Sequence, residues 1–98
     1  MIYHMIFQEI DHEATAGDLA AMAERTARYR EVEGIEHVVS GRNLAIAPFD
    51  EGYTHATLIV ARDEQALRDF LADPRHRASV QANAHLVKRR AILDVEGS

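Results

Sequence analysis

Ile2-Tyr3-His4-Met5-Ile6-Phe7-Gln8-Glu9-Ile10 alternates its side chains between two surroundings. Ile2, His4, Ile6 and Gln8 point one way, and Tyr3, Met5 and Phe7 point the other. That period of two is the mark of an extended strand. Thr54 to Ala61 repeats it, with His55, Thr57 and Ile59 set against Ala56, Leu58 and Val60. So does Arg89 to Val95, with Arg90, Ile92 and Asp94 set against Ala91, Leu93 and Val95. Ile35 to Ser40, carrying β-branched Val38 and Val39, makes a fourth strand.

The stretches between these strands have helical spacing. Thr15-x-x-Asp18 has the form of a capping box, and Leu19, Met22, Ala23, Thr26 and Tyr29 or Arg30 then recur on one face until Gly34. Asp63 caps a short helix with Ala66, Leu67, Phe70 and Leu71 inward. Asp73-Pro74 restarts a helix, whose inward row is expected at His76, Val80, Ala84 and Val87. Gly41-Arg42-Asn43 opens a long loop that runs through Pro48 to Gly52.

The order β-α-β-β-α-(α)-β is the ferredoxin-like split βαβ pattern, an α+β class with an antiparallel four-stranded sheet. First and third strands are expected side by side and parallel at the sheet centre, with the fourth antiparallel to the first. Helices cover one face. The other face, from Tyr3, Met5 and Phe7 through Ala56, Leu58 and Val60 to Leu93 and Val95, is apolar and bare in a monomer. A patch of that kind calls for a cover. A two-fold homodimer with sheet against sheet, a dimeric α/β barrel, supplies it.

Composition narrows the function. The 98 residues suit one domain, 1–98. A net charge of −5, with no basic cluster beyond Lys88-Arg89-Arg90, argues against nucleic acid as a partner. The absence of cysteine excludes disulfides, thiol nucleophiles and thiolate metal sites. The first ten residues are unlike a signal peptide and no apolar run has membrane-spanning length, so no membrane partner and a cytoplasmic location are expected.

His4, His55, His76 and Asp94 are far apart in the chain, yet this topology is expected to gather them. With parallel central strands, His4 and His55 would lie at one end of the sheet. Asp94 would join them from the antiparallel neighbour, and His76 from the Asp73-Pro74-Arg75-His76 turn. Parity puts His4, His55 and Asp94 on the helix-facing side. The expected pocket lies within one protomer, lined by Ile2, Ile6, Thr57, Ile59, Leu67, Phe70 and Val80, an apolar cleft with a few convergent polar groups. In it His76, in the first turn of a helix whose dipole disfavours imidazolium, would act as a general base. His4 and His55 would share the developing charge of a substrate carbonyl. Asp94 would fix a tautomer of His4. The plainer alternative is a buried polar cluster that only satisfies itself. No His-x-x-x-His or similar chelate spacing supports a metal, and no cofactor is expected. Arg90 faces the helix side, a candidate to hold an acidic group of a ligand.

Gly52-Tyr53-Thr54-His55, the Phe70 to His76 segment and Ile92-Leu93-Asp94-Val95-Glu96 also resemble the stress-responsive dimeric α/β-barrel (Dabb) family. Early His4 and Gly41-Arg42-Asn43 fit as well, and the likeness spans nearly the whole chain. One member type is olivetolic acid cyclase, a plant polyketide cyclase that closes a ring by aldol condensation without a cofactor. The resemblance implies that His76 matches its catalytic histidine, and that His4, His55 and Asp94 match other polar residues of its pocket. The cyclase tyrosine falls at Phe70, which has no hydroxyl. The first functional expectation is therefore a homodimeric binder of a small hydrophobic or carbonyl-containing ligand, with polyketide cyclase-like acid/base chemistry. The competitors are a non-catalytic stress or structural protein and a cofactor-free monooxygenase on the same fold.

Overall fold

The computed structural model describes residues 1–97. Strands β1 (Ile2–Ile10), β2 (Ile35–Arg42), β3 (His55–Ala61) and β4 (Val87–Glu96) form one sheet in the order β2-β3-β1-β4. Helices α1 (Ala16–Ala27), α2 (Glu64–Ala72) and α3 (Pro74–Asn83) accompany it, with a 3-10 turn, Arg28–Glu31, after α1. Among the described residues no helix is long and apolar enough to cross a membrane.

The caps are those the sequence calls for. Thr15 accepts from the Asp18 amide while Asp18 accepts from the Thr15 amide, closing the capping box of α1. Asp63 accepts from the Ala66 amide and Asp73 from the Arg75 amide, so two aspartates start α2 and α3 in succession. Gly34 ends the first crossover at φ 86, a left-handed conformation that glycine adopts without strain. A Cβ there would stand 2.6 Å from the Ala66 Cβ, so glycine also lets β2 enter close against α2.

Every neighbouring pair of strands is antiparallel, including β1 with β3. The expected parallel pairing of first and third strands is therefore wrong, and the reason is topological. The α1 crossover returns the chain parallel to β1 as β2. β2 then pairs antiparallel with β3, and β3 slots between β2 and β1. A strand antiparallel to β2 must be antiparallel to β1. Pairs His4↔Ile59, Ile6↔Thr57 and Gln8↔His55 record the result.

Side-chain facing follows the expected parity. Tyr29, Val32, Ile35, Val38, Ile59, Ala61, Ala66, Leu67 and Phe70 form one buried cluster between sheet and helices, with Ile2 and Ile6 packed against it. Phe70, Ile59 and Val38 are its largest fully buried side chains. Each such side chain stabilises the fold by roughly 1.5–3 kcal/mol relative to exposure. α3 ends at Asn83, so Ala84 is an exposed cap and Val87 opens β4, not the helical row expected for both. On the far face Val39, Leu93 and Val95 are exposed, and Tyr3, Met5, Phe7 and Leu58 are only half-buried.

Candidate functional site

β1 sets His4 on the helix-facing side, and the β1–β4 register places it directly opposite Asp94. His4 is only 2% exposed. Its Nδ1 is hydrogen-bonded to Asp94 Oδ1. A carboxylate oxygen accepts, so Nδ1–H donates, and Nε2 has no partner among the described residues. The imidazole is thus fixed in ring orientation from one side.

His76 approaches from above. Asp73 caps α3 and Pro74 opens it, which puts His76 in the first helical turn, aimed back at the sheet. Its Nδ1 lies 3.2 Å from the Leu71 carbonyl oxygen. A carbonyl can only accept, so Nδ1 carries the proton and Nε2 offers the lone pair. Burial holds the His76 pKa below its ordinary value, opposed by the Leu71 hydrogen bond and reinforced by His4. Removal from water is the largest influence and keeps the ring neutral.

Between the two histidines lies a cavity of about 230 Å3. His4, Tyr29, Thr57, His76 and Val80 line it, together with Ile6, Gln8, Thr26, Leu71, Asn83, Val87, Arg90 and Ile92. Its aromatic wall is a chain of contacts. Phe70 lies 4.8 Å from the His76 ring and 6.5 Å, edge-on, from the His4 ring. Tyr29 stands edge-on to Phe70 at 4.9 Å and lies 6.0 Å from His76.

The structure therefore brings together His4, Asp94 and His76, with Ile6, Thr57 and Val80 on the cavity wall. His55 does not join them. It pairs with Gln8, four residues along β1 from His4, about 13 Å away at strand spacing. The antiparallel β1–β3 pairing sends the start of β3 to the opposite end of the sheet. There His55 bonds Thr54 and shares a groove with Phe7, Arg42 and Tyr53. Ile59, Leu67 and Phe70 are core residues behind the wall rather than lining, and Ile2 and Leu67 border a separate groove beside Asp94.

Tyr29 is the residue that sequence reading passed over. It offers the cavity a hydroxyl, which Phe70 cannot. Burial raises its pKa, opposed by Ser79, so the group remains a phenol. The signal was present in the helical row that ends at Tyr29 or Arg30, but period alone cannot choose between those two. The chain leaves α1 for a 3-10 turn at Arg28, and that tightening swings Tyr29 inward and Arg30 toward the Val38 carbonyl. Among the described residues no group of three His, Asp or Glu could hold a metal ion.

Solved structures share the whole fold. The Arabidopsis thaliana protein At3g17210 matches with a TM-score of 0.91 at 14% identity, over 100% of this chain and 96% of its own. A dimeric ferredoxin-like protein of unknown function from a Jannaschia species matches with a TM-score of 0.82 at 20% identity, over 98% of each chain. A hydroxynitrile lyase from Passiflora edulis matches with a TM-score of 0.86 at 12% identity, over 96% of this chain and 90% of its own. The comparison with curated proteins found no match. The family model of the stress responsive A/B barrel domain matches residues 2–97, and the chain belongs to that family.

Proposed function

We propose that this protein is a homodimer whose protomers each bind a small carbonyl compound and move a proton on it without a cofactor. The observation that carries the reading is His76. It is a neutral imidazole with its proton committed to Leu71, so the second nitrogen is a ready base beside the cavity. Facing it are the groups an enolate or alkoxide would need. The Tyr29 hydroxyl can donate to the developing oxygen charge, and His4, held by Asp94, stands on the opposite wall. Aromatic and aliphatic side chains keep the surroundings apolar, where each such donor acts more strongly than in water.

Ring closure by aldol condensation needs one base and a stabilised enolate, and cleavage of a cyanohydrin needs one base for the hydroxyl proton and a donor for the departing cyanide. The likeness to a hydroxynitrile lyase is compatible with that pair of roles. It supports the chemistry and leaves the substrate open. The dimer rests on the exposed apolar sheet face and on the dimeric state of a structural neighbour.

A substrate-independent assay tests the site. In D2O, a base of this kind exchanges the α-hydrogens of small ketones for deuterium, a change that NMR follows directly. Neutral ketones such as cyclohexanone and levulinamide are the probes. Exchange above background is expected for the wild type and its loss for His76→Ala, with the dimer still folded. Exchange that persists unchanged in His76→Ala removes His76 from the chemistry.

A further inference from the structure

The cavity has a second end. Along β1 it runs from His4 through Ile6 to Gln8, and the register sets Gln8 opposite Arg90. Arg90 shares the helix-facing side with Ile92 and Asp94 and lines the cavity mouth. No carboxylate lines this cavity. Glu9, next to Gln8 in the register, pairs with Arg89, and Asp94, the acid on the helix-facing side of β4, is held by His4.

The positive charge at this end is left over. Arg28, Arg62, Arg68, Arg75 and Arg89 each pair with a glutamate or an aspartate. Arg90 is one of six cations without an ion pair among the described residues, and of those six it alone lines this cavity. A second guanidinium stands nearby. Arg25 bonds the Oδ1 of Asn83, a lining residue, and acts electrostatically on Tyr29. Its Nε is buried without any hydrogen-bond partner. Arg90 is also close enough to His76 to disfavour imidazolium there.

We infer that the ligand of this pocket is a keto acid, its carbonyl between His76 and Tyr29 and its carboxylate on the Arg90 guanidinium. This rests on the carbonyl-binding reading above and adds the acid group to it. Guanidinium and carboxylate match in planar, two-point geometry. One exposed guanidinium on the lining suits a monoanion. The cavity is also smaller than the roughly 300–1,000 Å3 usual for drug-sized ligands, so the compound is small. Gln8, Thr26 and Asn83 add neutral hydrogen-bonding groups around that end. The two ends divide the work, with neutral bases and donors for the carbonyl at one and fixed positive charge for the acid at the other.

Levulinate and levulinamide carry the same ketone and differ only in the acid. Each is titrated into wild type and Arg90→Gln while the ring signals of His76 and His4 are followed by NMR. Wild type should bind levulinate at least about tenfold more tightly than the amide, a margin that shrinks with added salt. Arg90→Gln should bring the acid down to the amide's affinity and leave the amide unchanged. If both compounds move the His76 signal with equal affinity in wild type, the acid inference is overturned and the carbonyl pocket stands. If neither moves it at millimolar concentration, the carbonyl reading is wrong and the keto acid falls with it.

Discussion

Leu58→Asp separates the dimer from the fold of its protomer. Leu58 lies on β3, near the middle of the bare sheet face, with Met5 opposite it on β1 and Val39 opposite it on β2. It is half-buried in the isolated chain. Fully burying a leucine side chain is worth roughly 1.5–3 kcal/mol, so the third or less still exposed contributes at most about 1 kcal/mol per protomer on association. Two-fold symmetry counts it twice. Losing up to about 2 kcal/mol weakens a dimer by up to roughly thirtyfold, at 1.4 kcal/mol per tenfold. Two aspartates facing each other across a closed interface add desolvation of several kcal/mol unless they protonate. The monomer loses far less, because there the carboxylate can reach water. Sedimentation velocity across the micromolar range should show wild type as a dimer and Leu58→Asp as a monomer with native far-ultraviolet circular dichroism. A wild type that sediments as a monomer, or a Leu58→Asp chain that stays dimeric, would place the interface elsewhere.

The ring of His76 should titrate with a midpoint below 6.5, read from its NMR shift against pH, because burial disfavours its charged form. Linkage then fixes a sign. Below 6.5 the unfolded chain takes up protons that folded His76 and His55 resist, so stability declines as pH falls through that value and levels off once both folded rings are protonated. A midpoint above 6.5 contradicts the desolvated site. Tyr29→Phe removes the hydroxyl and keeps the ring that packs on Phe70. Ketone exchange should slow about 10²–10³-fold, the usual effect of losing one oxyanion donor, while stability changes by only about 1 kcal/mol. Exchange at the wild-type rate would show that Tyr29 serves packing alone.

The strands, the caps and the sheet facing were legible because each rests on a local rule. Period two places Tyr3, Met5 and Phe7 on one side and His4, Ile6 and Gln8 on the other, whatever the rest of the chain does. Thr15, Asp63 and Asp73 name their helix starts by the same local chemistry. Strand direction is not local. It depends on which partner a crossover delivers, and an error there leaves every facing intact while moving each residue to the wrong end of its strand. His55 shows the consequence. Its side of the sheet was read correctly and its end was inverted, so a residue expected beside His4 lies beside Gln8. His4 and Asp94 escaped because the β1–β4 pair had been taken as antiparallel from the start.

The same distinction explains why the hydroxyl was missed. Phe70 occupies the segment that resembles the cyclase, so position in the sequence pointed there and found no oxygen. Space solves the need from another element. Phe70 is fully buried, and its ring serves as the surface against which Tyr29 and His76 are both set. A tyrosine at 70 would have to bury its hydroxyl in the core or push the wall into the cavity. With phenylalanine at that point, the 3-10 turn after α1 brings Tyr29 to the cavity wall instead. The donor therefore belongs to the crossover between β1 and β2, whereas the base belongs to α3. The reaction proposed for this pocket requires both elements to keep their packing on one phenylalanine.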